Sequence, residues 1–268
     1  GHVSNTKLHW NANDRIPKQT ATRFMMFSLV IPCYNESKSL PTLIEKCNKL
    51  VNNNDDLEII LVDNGSSDST LEILGPLQNN SSGLRATRVD NNIGYGNGIL
   101  AGLKVANGEI LGWTHADLQT APADVLAAID LYNASAESSN LFIKGARTGR
   151  PFTDVVFTAG MSIFETMFMR TRMWDINAQP TLMPRSLYSA WDNPPIDFSI
   201  DLYAYYQAKQ HATEIQRIPV HFGARTFGES HWNTGIVAKF KFIRRTLSYS
   251  WKLRKDLSNS STNKEHNA

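Results

Sequence analysis

The feature that most restricts this chain is an alternation of short apolar runs with stretches of helical period, sustained from residue 27 onward. "FSLVIP" (27–32), Leu57–Val62, Ala86–Val89, Glu109–Thr114, "LFIKGA" (141–146) and "EIQRIPVHF" (214–222) read as strands. Between them, Ser39–Val51, a segment opening at Ser67 or Asp68, Asn97–Ala106, a helix starting at Pro122, Thr153–Arg172 and Phe198–Gln210 carry apolar residues at helical spacing. Strands separated by helices long enough to cross back over a sheet predict an α/β fold with a mostly parallel sheet covered on both faces. In such sheets ligands bind beyond the carboxyl ends of the strands, so the residues that follow each run are where chemistry is expected.

The composition is that of a globular domain: 268 residues, 41% of them hydrophobic, with a net charge of only +2. That balance gives no basic field for nucleic acid, and no nucleic-acid partner is expected. No apolar run approaches the roughly 20 residues needed to span a bilayer. Cys33 and Cys47 have neither the number nor the spacing of a disulfide framework or a zinc site, which suits a reducing compartment. A cytoplasmic protein, soluble or peripheral, is the expectation. Residues 1–23 read as a loose arm, 24–235 as the folded domain, 236–257 as a basic amphipathic helix and 258–268 as a disordered tail.

After the fourth strand comes "GWTHADLQT" (112–120), where His115, Asp117 and Gln119 alternate with Ala116 and Leu118. Period-two alternation predicts an extended segment with three polar groups on one side and packing groups on the other. Imidazole, carboxylate and amide are all groups that can hold a metal ion or face a diphosphate. "PCYNE" (32–36) and "VDNGSSDST" (62–70) put Asn35, Glu36, Asp63 and Asn64 at two further strand ends. A carboxylate there can accept hydrogen bonds from a nucleotide base or ribose, and either segment alone also reads as capped turn chemistry. "NNIGYGNG" (91–98) spaces Gly94, Gly96 and Gly98 for close backbone approach. Ile99 stands where a dinucleotide fingerprint needs its third glycine, which disfavours a dehydrogenase.

Taken in order, "VIPCYNE", "VDNGSSDST", "NIGYGNGILAGLKVANGEIL" and "THADLQTAP" resemble the inverting family 2 glycosyltransferases, whose Rossmann-like mixed sheet is usually called GT-A. The likeness is nearest to the branch of dolichyl-phosphate mannose synthase and polyprenyl-phosphate glycosyltransferases, and covers about residues 25–235. The resemblance implies that Pro32, Tyr34, Asn35, Glu36, Asp63, Asn64 and the Gly94, Gly96, Asn97 loop cradle a nucleotide diphosphate sugar. It also implies that Asp117 and Gln119 meet a divalent cation, Mn²⁺ or Mg²⁺, and the diphosphate. His115 departs from the aspartate usual in the branch. A nitrogen ligand suits Mn²⁺ better than Mg²⁺, and a hydrogen-bonded histidine without metal contact is the alternative.

The second half matches more loosely. "IKGARTGR" resembles the branch's "GSR" strand end, which would turn Arg147 toward a phosphate. In "DINAQPTLMPRS", which matches the branch's segment for acceptor recognition in register, Gln179 and Pro180 replace a Gly-Phe pair. "DFSIDLYAYYQA" resembles the acidic helix that supplies a general base to hydroxyl acceptors. Asp201 aligns best, with Asp197 one turn away on the same face. "ARTFGESHW" resembles the "R…GESK" loop that closes over the diphosphate, with Arg225 and Ser230 matching and His231 in place of lysine.

Finally, Phe240, Ile243, Leu247 and Trp251 form one apolar stripe with basic residues beside it, a helix suited either to packing on the domain or to an anionic membrane through residues 239–255. The resemblance implies transfer of a sugar to a polyprenyl or dolichyl phosphate at the cytoplasmic membrane face. Two alternatives stay open. One is transfer to a saccharide hydroxyl in surface-polysaccharide assembly, and the other is a non-catalytic nucleotide-sugar binder on a degenerate scaffold.

Overall fold

The computed structural model describes residues 25–255 apart from 79, 81–82, 136, 150–151, 212, 224–243 and 245–246. β1 (Phe27–Cys33), β2 (Leu57–Asn64), β3 (Leu84–Val89), β4 (Ile110–Trp113), β5 (Leu141–Thr148), β6 (Thr181–Pro184) and β7 (Glu214–His221) form one seven-stranded sheet in the order β3-β2-β1-β4-β6-β5-β7. β1, β2, β3 and β4 pair in parallel, β5 pairs in parallel with β7, and β6 runs antiparallel between β4 and β5. The mostly parallel, mixed α/β sheet expected from the alternation is therefore present, and six of the predicted strands are in it. β6 was not expected, because its residues "TLMP" are too few to establish a period.

The helices are α1 (Leu40–Asn52), α2 (Thr70–Leu74), α3 (Tyr95–Val105), α4 (Val125–Ala134), α5 (Phe152–Met169), α6 (Arg185–Ser189) and α7 (Ile200–Gln210). The two-residue period of the strands divides the core. In β1 and β2, Leu29, Ile31, Ile59 and Leu61 face a cluster closed by Leu40, Leu43 and Cys47 of α1 and Ala128 and Tyr132 of α4. Val30, Ile60 and Val62 face the other side, against Ile99 and Leu103 of α3 and Ile200, Tyr203 and Ala204 of α7. Burial on both faces is why these strands read as unbroken apolar runs.

Several boundaries moved for local reasons. β2 continues through Asp63 and Asn64, whose partners in β3 are Arg88 and Val89. The helix expected from Ser67 or Asp68 is only the five residues of α2, continued by a 3-10 turn at Gly75–Leu77 where Pro76 interrupts the backbone bonding. Pro122 opens a 3-10 turn, and α4 proper begins at Val125.

Residues 247–255 are helical, and their apolar stripe meets the domain only in part, through the Trp251 ring 5.6 Å from that of Phe168 in α5. Leu247 is 36% and Trp251 68% exposed, whereas Ser250 and Leu253 are buried. The helix is held by polar anchors: Ser250 Oγ donates to the buried Glu165 of α5, and Arg254 donates to the Phe168 carbonyl at 2.7 Å while lying over the Phe168 ring. Ile163 and Met167 of α5 are exposed as well. Phe240 and Ile243, the other members of the stripe, lie outside the described residues. Among the described residues no helix is long and apolar enough to cross a membrane.

Candidate functional site

The loops after β1 and β2 are stitched into one surface. Pro32 and Cys33 pair with Val62 and Asp63 across the sheet. Beyond them, Tyr34 is exposed and Asn35 takes a left-handed backbone conformation (φ 55°). The Asn35 N–H donates to Ser66 Oγ at 3.1 Å, and its side-chain oxygen accepts from the Ser67 N–H at 2.9 Å. The Glu36 N–H donates to Thr70 Oγ1, the Ser39 hydroxyl donates to the Glu36 carboxylate at 2.6 Å, and the Ser37 N–H donates to Asp68 Oδ2. Asp68 Oδ1 caps the Thr70 N–H. Partial burial works against ionisation of Asp68, but the hydrogen bonds from Thr70 and Ser37 outweigh it and bring its carboxyl down to about 2.

Asp63 is wholly buried beneath this surface. Its Oδ1 accepts from the Ser66 N–H at 3.0 Å, while Oδ2 has no hydrogen-bond partner among the described residues and makes a 3.7 Å ion pair with Arg88 Nε. An unmade acceptor on a buried carboxylate is costly, which marks Oδ2 as an atom awaiting a donor. Asn64 donates to the Gly94 carbonyl at 3.0 Å and likewise leaves its buried Oδ1 unpartnered.

The glycines of "NNIGYGNG" serve close approach, but the neighbour is this chain's own backbone. Gly94 sits at φ +147°, and a Cβ there would lie 2.3 Å from the Ile196 carbonyl oxygen. The N–H groups of Gly96 and Asn97 donate to the carbonyls of Asp197 and Ile196 at 3.2 and 2.9 Å. These first-turn donors of α3, expected to cradle a ligand, are thus engaged by residues 196–197.

After β4 the chain bends instead of staying extended, with Leu118 at φ 59°. The reason is an Asx turn in which Asp117 Oδ1 accepts from the Gln119 N–H at 3.1 Å. The expected division of labour survives the bend, since Ala116 and Leu118 join the core cluster while His115, Asp117 and Gln119 are only half-buried. His115 Nδ1 is 3.2 Å from the Tyr95 hydroxyl, and the Tyr95 ring packs on both His115 and Phe198. Burial, then the charges of Asp201 and Asp117, push the Tyr95 hydroxyl well above its ordinary value. It is therefore a neutral partner for either His115 tautomer, and in the tautomer whose Nδ1–H donates to it, Nε2 carries the lone pair. The Gln119 amide donates to the Gly223 carbonyl at 3.3 Å, and the Gly223 N–H donates back to the Gln119 carbonyl at 2.9 Å. Among the described residues no group of three His, Cys, Asp or Glu side chains is gathered to hold a metal. By donor chemistry alone, His115 and Asp117 are a mixed nitrogen and oxygen pair of the kind that suits a divalent ion.

Asp201 occupies the first turn of α7 and is wholly buried. Three donors converge on Oδ1: Trp113 Nε1 at 3.2 Å, Gln179 Nε2 at 2.7 Å and Lys144 Nζ at 3.3 Å. Among the described residues Oδ2 has no hydrogen-bond partner, and neither has Gln179 Oε1. Lys144, also wholly buried, donates to Thr181 Oγ1 at 2.8 Å. Burial lowers its ammonium to about 8 against the opposing pull of Asp201. Neither Lys144 nor Trp113 entered the sequence reading, although a lysine inside "LFIKGA" was a visible signal. A charge in the buried stretch Leu141–Gly145 of β5 needs a partner, and that partner lies 57 residues away in sequence.

Asp197 is not on the helical face of Asp201 as expected. It precedes α7, where its Oδ1 accepts from the Ser199 N–H and hydroxyl, and its Oδ2 lies 3.5 Å from Lys252. Arg147 is held in an ion pair with Asp175, which also accepts from the Arg147 N–H and lies 3.9 Å from Arg217. Arg225, Ser230 and His231 lie outside the described residues.

The sequence model named Glycosyl transferase family 2 matches residues 28–174. An undecaprenyl-phosphate 4-deoxy-4-formamido-L-arabinose transferase from Photorhabdus laumondii is 31% identical over 159 residues, covering 58% of this chain and 43% of that protein. A protein of the same name from Enterobacter sp. is 29% identical over 230 residues, covering 77% of this chain and 62% of its own length. The chain thus spans less than two thirds of the length of these curated relatives. Among solved structures, glucosyl-3-phosphoglycerate synthase from Mycobacterium tuberculosis, in complex with Mn²⁺, UDP and phosphoglyceric acid, aligns with a TM-score of 0.61 at 16% identity, covering 84% of this chain and 78% of that one. That last likeness is one of fold.

Proposed function

The chain belongs to glycosyl transferase family 2 and has the GT-A fold, and from that premise we propose that it moves a sugar from a nucleotide diphosphate sugar to a polyprenyl phosphate with inversion at the anomeric carbon. The observation that carries the reading is the meeting, at adjacent strand ends, of Asn35 and Glu36 after β1, Asp63 closing β2, and His115 to Gln119 after β4. That is the place a parallel sheet reserves for a ligand.

The roles follow from the open atoms. Asp63 Oδ2 accepts from the base or ribose, with Tyr34, Asn35, Glu36 and Asn64 shaping the pocket around it. His115 and Asp117 would hold the divalent cation, which when bound offsets charge on the leaving diphosphate. Gln119 is held by its bonds to Gly223. Arg225, Ser230 and His231 are assigned to the diphosphate. Arg147 is committed to Asp175 and is left out of that set.

In the transfer itself an acceptor oxygen attacks the anomeric carbon, the bond from that carbon to the diphosphate oxygen breaks, and the nucleotide leaves with the electron pair. A phosphate acceptor is already anionic and needs no base, so Asp201 then holds a substrate hydroxyl through Oδ2. A saccharide hydroxyl acceptor is the second reading, favoured by the same unpartnered Oδ2, which could take its proton. The exposed Leu247 and Trp251, flanked by Lys252, Arg254 and Lys255, support peripheral attachment to an anionic membrane at the cytoplasmic face, where a lipid-linked acceptor lies.

The test is thermal stabilisation by UDP, GDP, CDP and ADP, each with Mn²⁺, Mg²⁺ or chelator, followed by transfer from the matching labelled donor to undecaprenyl phosphate. A metal-dependent rise with one nucleotide and label in the lipid phase are expected. A rise without any transfer would favour the non-catalytic binder, and no rise at all would remove the donor site.

A further inference from the structure

We propose that Lys144 is a positioning residue that supplies the counter-charge for Asp201 and turns its carboxylate so that Oδ2 is the one acceptor left for a substrate. The inference rests on the assignment of Asp201 to the acceptor side of the site. Trp113 closes β4, Lys144 is in the middle of β5, and Gln179 lies just before β6, so three parts of the sheet aim donors at a single oxygen. A carboxylate with its donors on Oδ1 is held in that orientation, and its second oxygen is left buried without a partner among the described residues.

Lys144 is the only cation among those three donors. The charged groups around it are Asp201 from α7, Arg217 from β7 and Asp175 from the segment before β6, while Tyr95 of α3 senses Asp201 as a neutral hydroxyl. Arg217 is 3.9 Å from Asp175 and Arg147 is paired to the same carboxylate, so both arginines are directed to Asp175. Charge compensation of Asp201 therefore falls to Lys144. A lone carboxylate with 0% side-chain exposure and no cation would take up a proton rather than stay charged. Protonated, Asp201 would become a donor at the oxygen the substrate needs as an acceptor.

The experiment replaces Lys144 by Met, which keeps the stem and removes the charge. Difference infrared spectra at about pH 7 of Lys144→Met against Lys144→Met/Asp201→Asn should show a protonated-carboxyl band that the same subtraction of Asp201→Asn from wild type lacks. Absence of that band overturns the proposal, since Asp201 would then hold its charge without Lys144. Melting temperatures give the second arm: Lys144→Met should melt well below wild type, and the double variant, with neither charge, should recover part of the loss. A double variant that melts no higher than Lys144→Met overturns the pairing even if the single variant is too unstable for spectroscopy. Nucleotide stabilisation of the wild-type protein is read separately, so failure of the donor site and failure of the Lys144 assignment are told apart.

Discussion

The Tyr95 hydroxyl lies 3.2 Å from His115 Nδ1, and this contact joins the first turn of α3 to the segment that follows β4. It fixes one ring nitrogen of a histidine that stands where the family resemblance leads one to expect an aspartate. If His115 is a ligand, Tyr95 sets its orientation. Tyr95→Phe should then weaken Mn²⁺ binding in the presence of UDP by about 10- to 100-fold, the usual cost of losing an outer hydrogen bond to a ligating imidazole. Electron paramagnetic resonance of free Mn²⁺ reads this directly, and an unchanged affinity would release His115 from the metal.

His115→Asp exchanges nitrogen for a hard anionic oxygen. The ratio of Mg²⁺ to Mn²⁺ affinity is expected to rise, because carboxylate oxygen suits Mg²⁺ while imidazole does not. Competition between the two ions, followed through the nucleotide-dependent melting temperature, would reveal no change in that ratio if the histidine stands apart from the ion.

Asp63→Asn should abolish most of the nucleotide-dependent stabilisation. The amide can still accept from Ser66 through one oxygen, but the charged acceptor at Oδ2 is gone. A hydrogen bond to a charged group is worth about 1.5–3 kcal/mol, so the nucleotide Kd should rise by roughly 10- to 100-fold. Calorimetry on the folded variant checks it, and wild-type affinity would place the base elsewhere.

Glu165 is buried, and that burial raises its carboxyl to about 7 despite the hydrogen bond from Ser250. Between the ordinary carboxylate value and about 7 the folded chain binds the proton that the unfolded chain has released. Stability therefore falls as pH rises through that window and is greatest below it. Glu165→Gln should remove this part of the decline, on the order of 2 kcal/mol, seen as a smaller loss of melting temperature between about pH 5 and 8.

Leu247→Ala/Trp251→Ala removes exposed apolar surface from the helix at 247–255 without touching its buried Ser250 and Leu253. Co-sedimentation with vesicles containing phosphatidylglycerol should drop severalfold, with a small fall in melting temperature from the lost Trp251–Phe168 ring contact. Equal sedimentation of wild type and variant would leave that face without a lipid role.

What the sequence made legible was what local period and short motifs encode. Period separated β1 from α1 and β2 from α2, and the polar groups at Asn35, Asp63 and His115 announced themselves by following apolar runs. Pairings across long separations did not. Gly94 and Gly96 look like ligand contacts until Ile196 and Asp197, about a hundred residues later, fill the space beside them. Arg147 looks available until Asp175 takes it, and the stripe through Leu247 and Trp251, which suited either packing or a membrane, proves largely exposed with Trp251 resting on Phe168 while Ser250 and Leu253 form the buried side. Each of these depends on which distant segment arrives, and helical or strand period carries no record of that.

Because β6 alone is reversed, every other strand delivers its following loop to one rim of the sheet, and the opposite rim carries none of the residues discussed as ligand contacts. The connections there include the one between α1 and β2, where Asn53 and Asp55 are exposed, and the one before β5, where Glu137, Ser139 and Asn140 are. These are the places where a fluorophore, an affinity handle or a whole reporter domain can be grafted while the working rim keeps its geometry. The molecule thus comes with a front that must be left alone and a back that can be held.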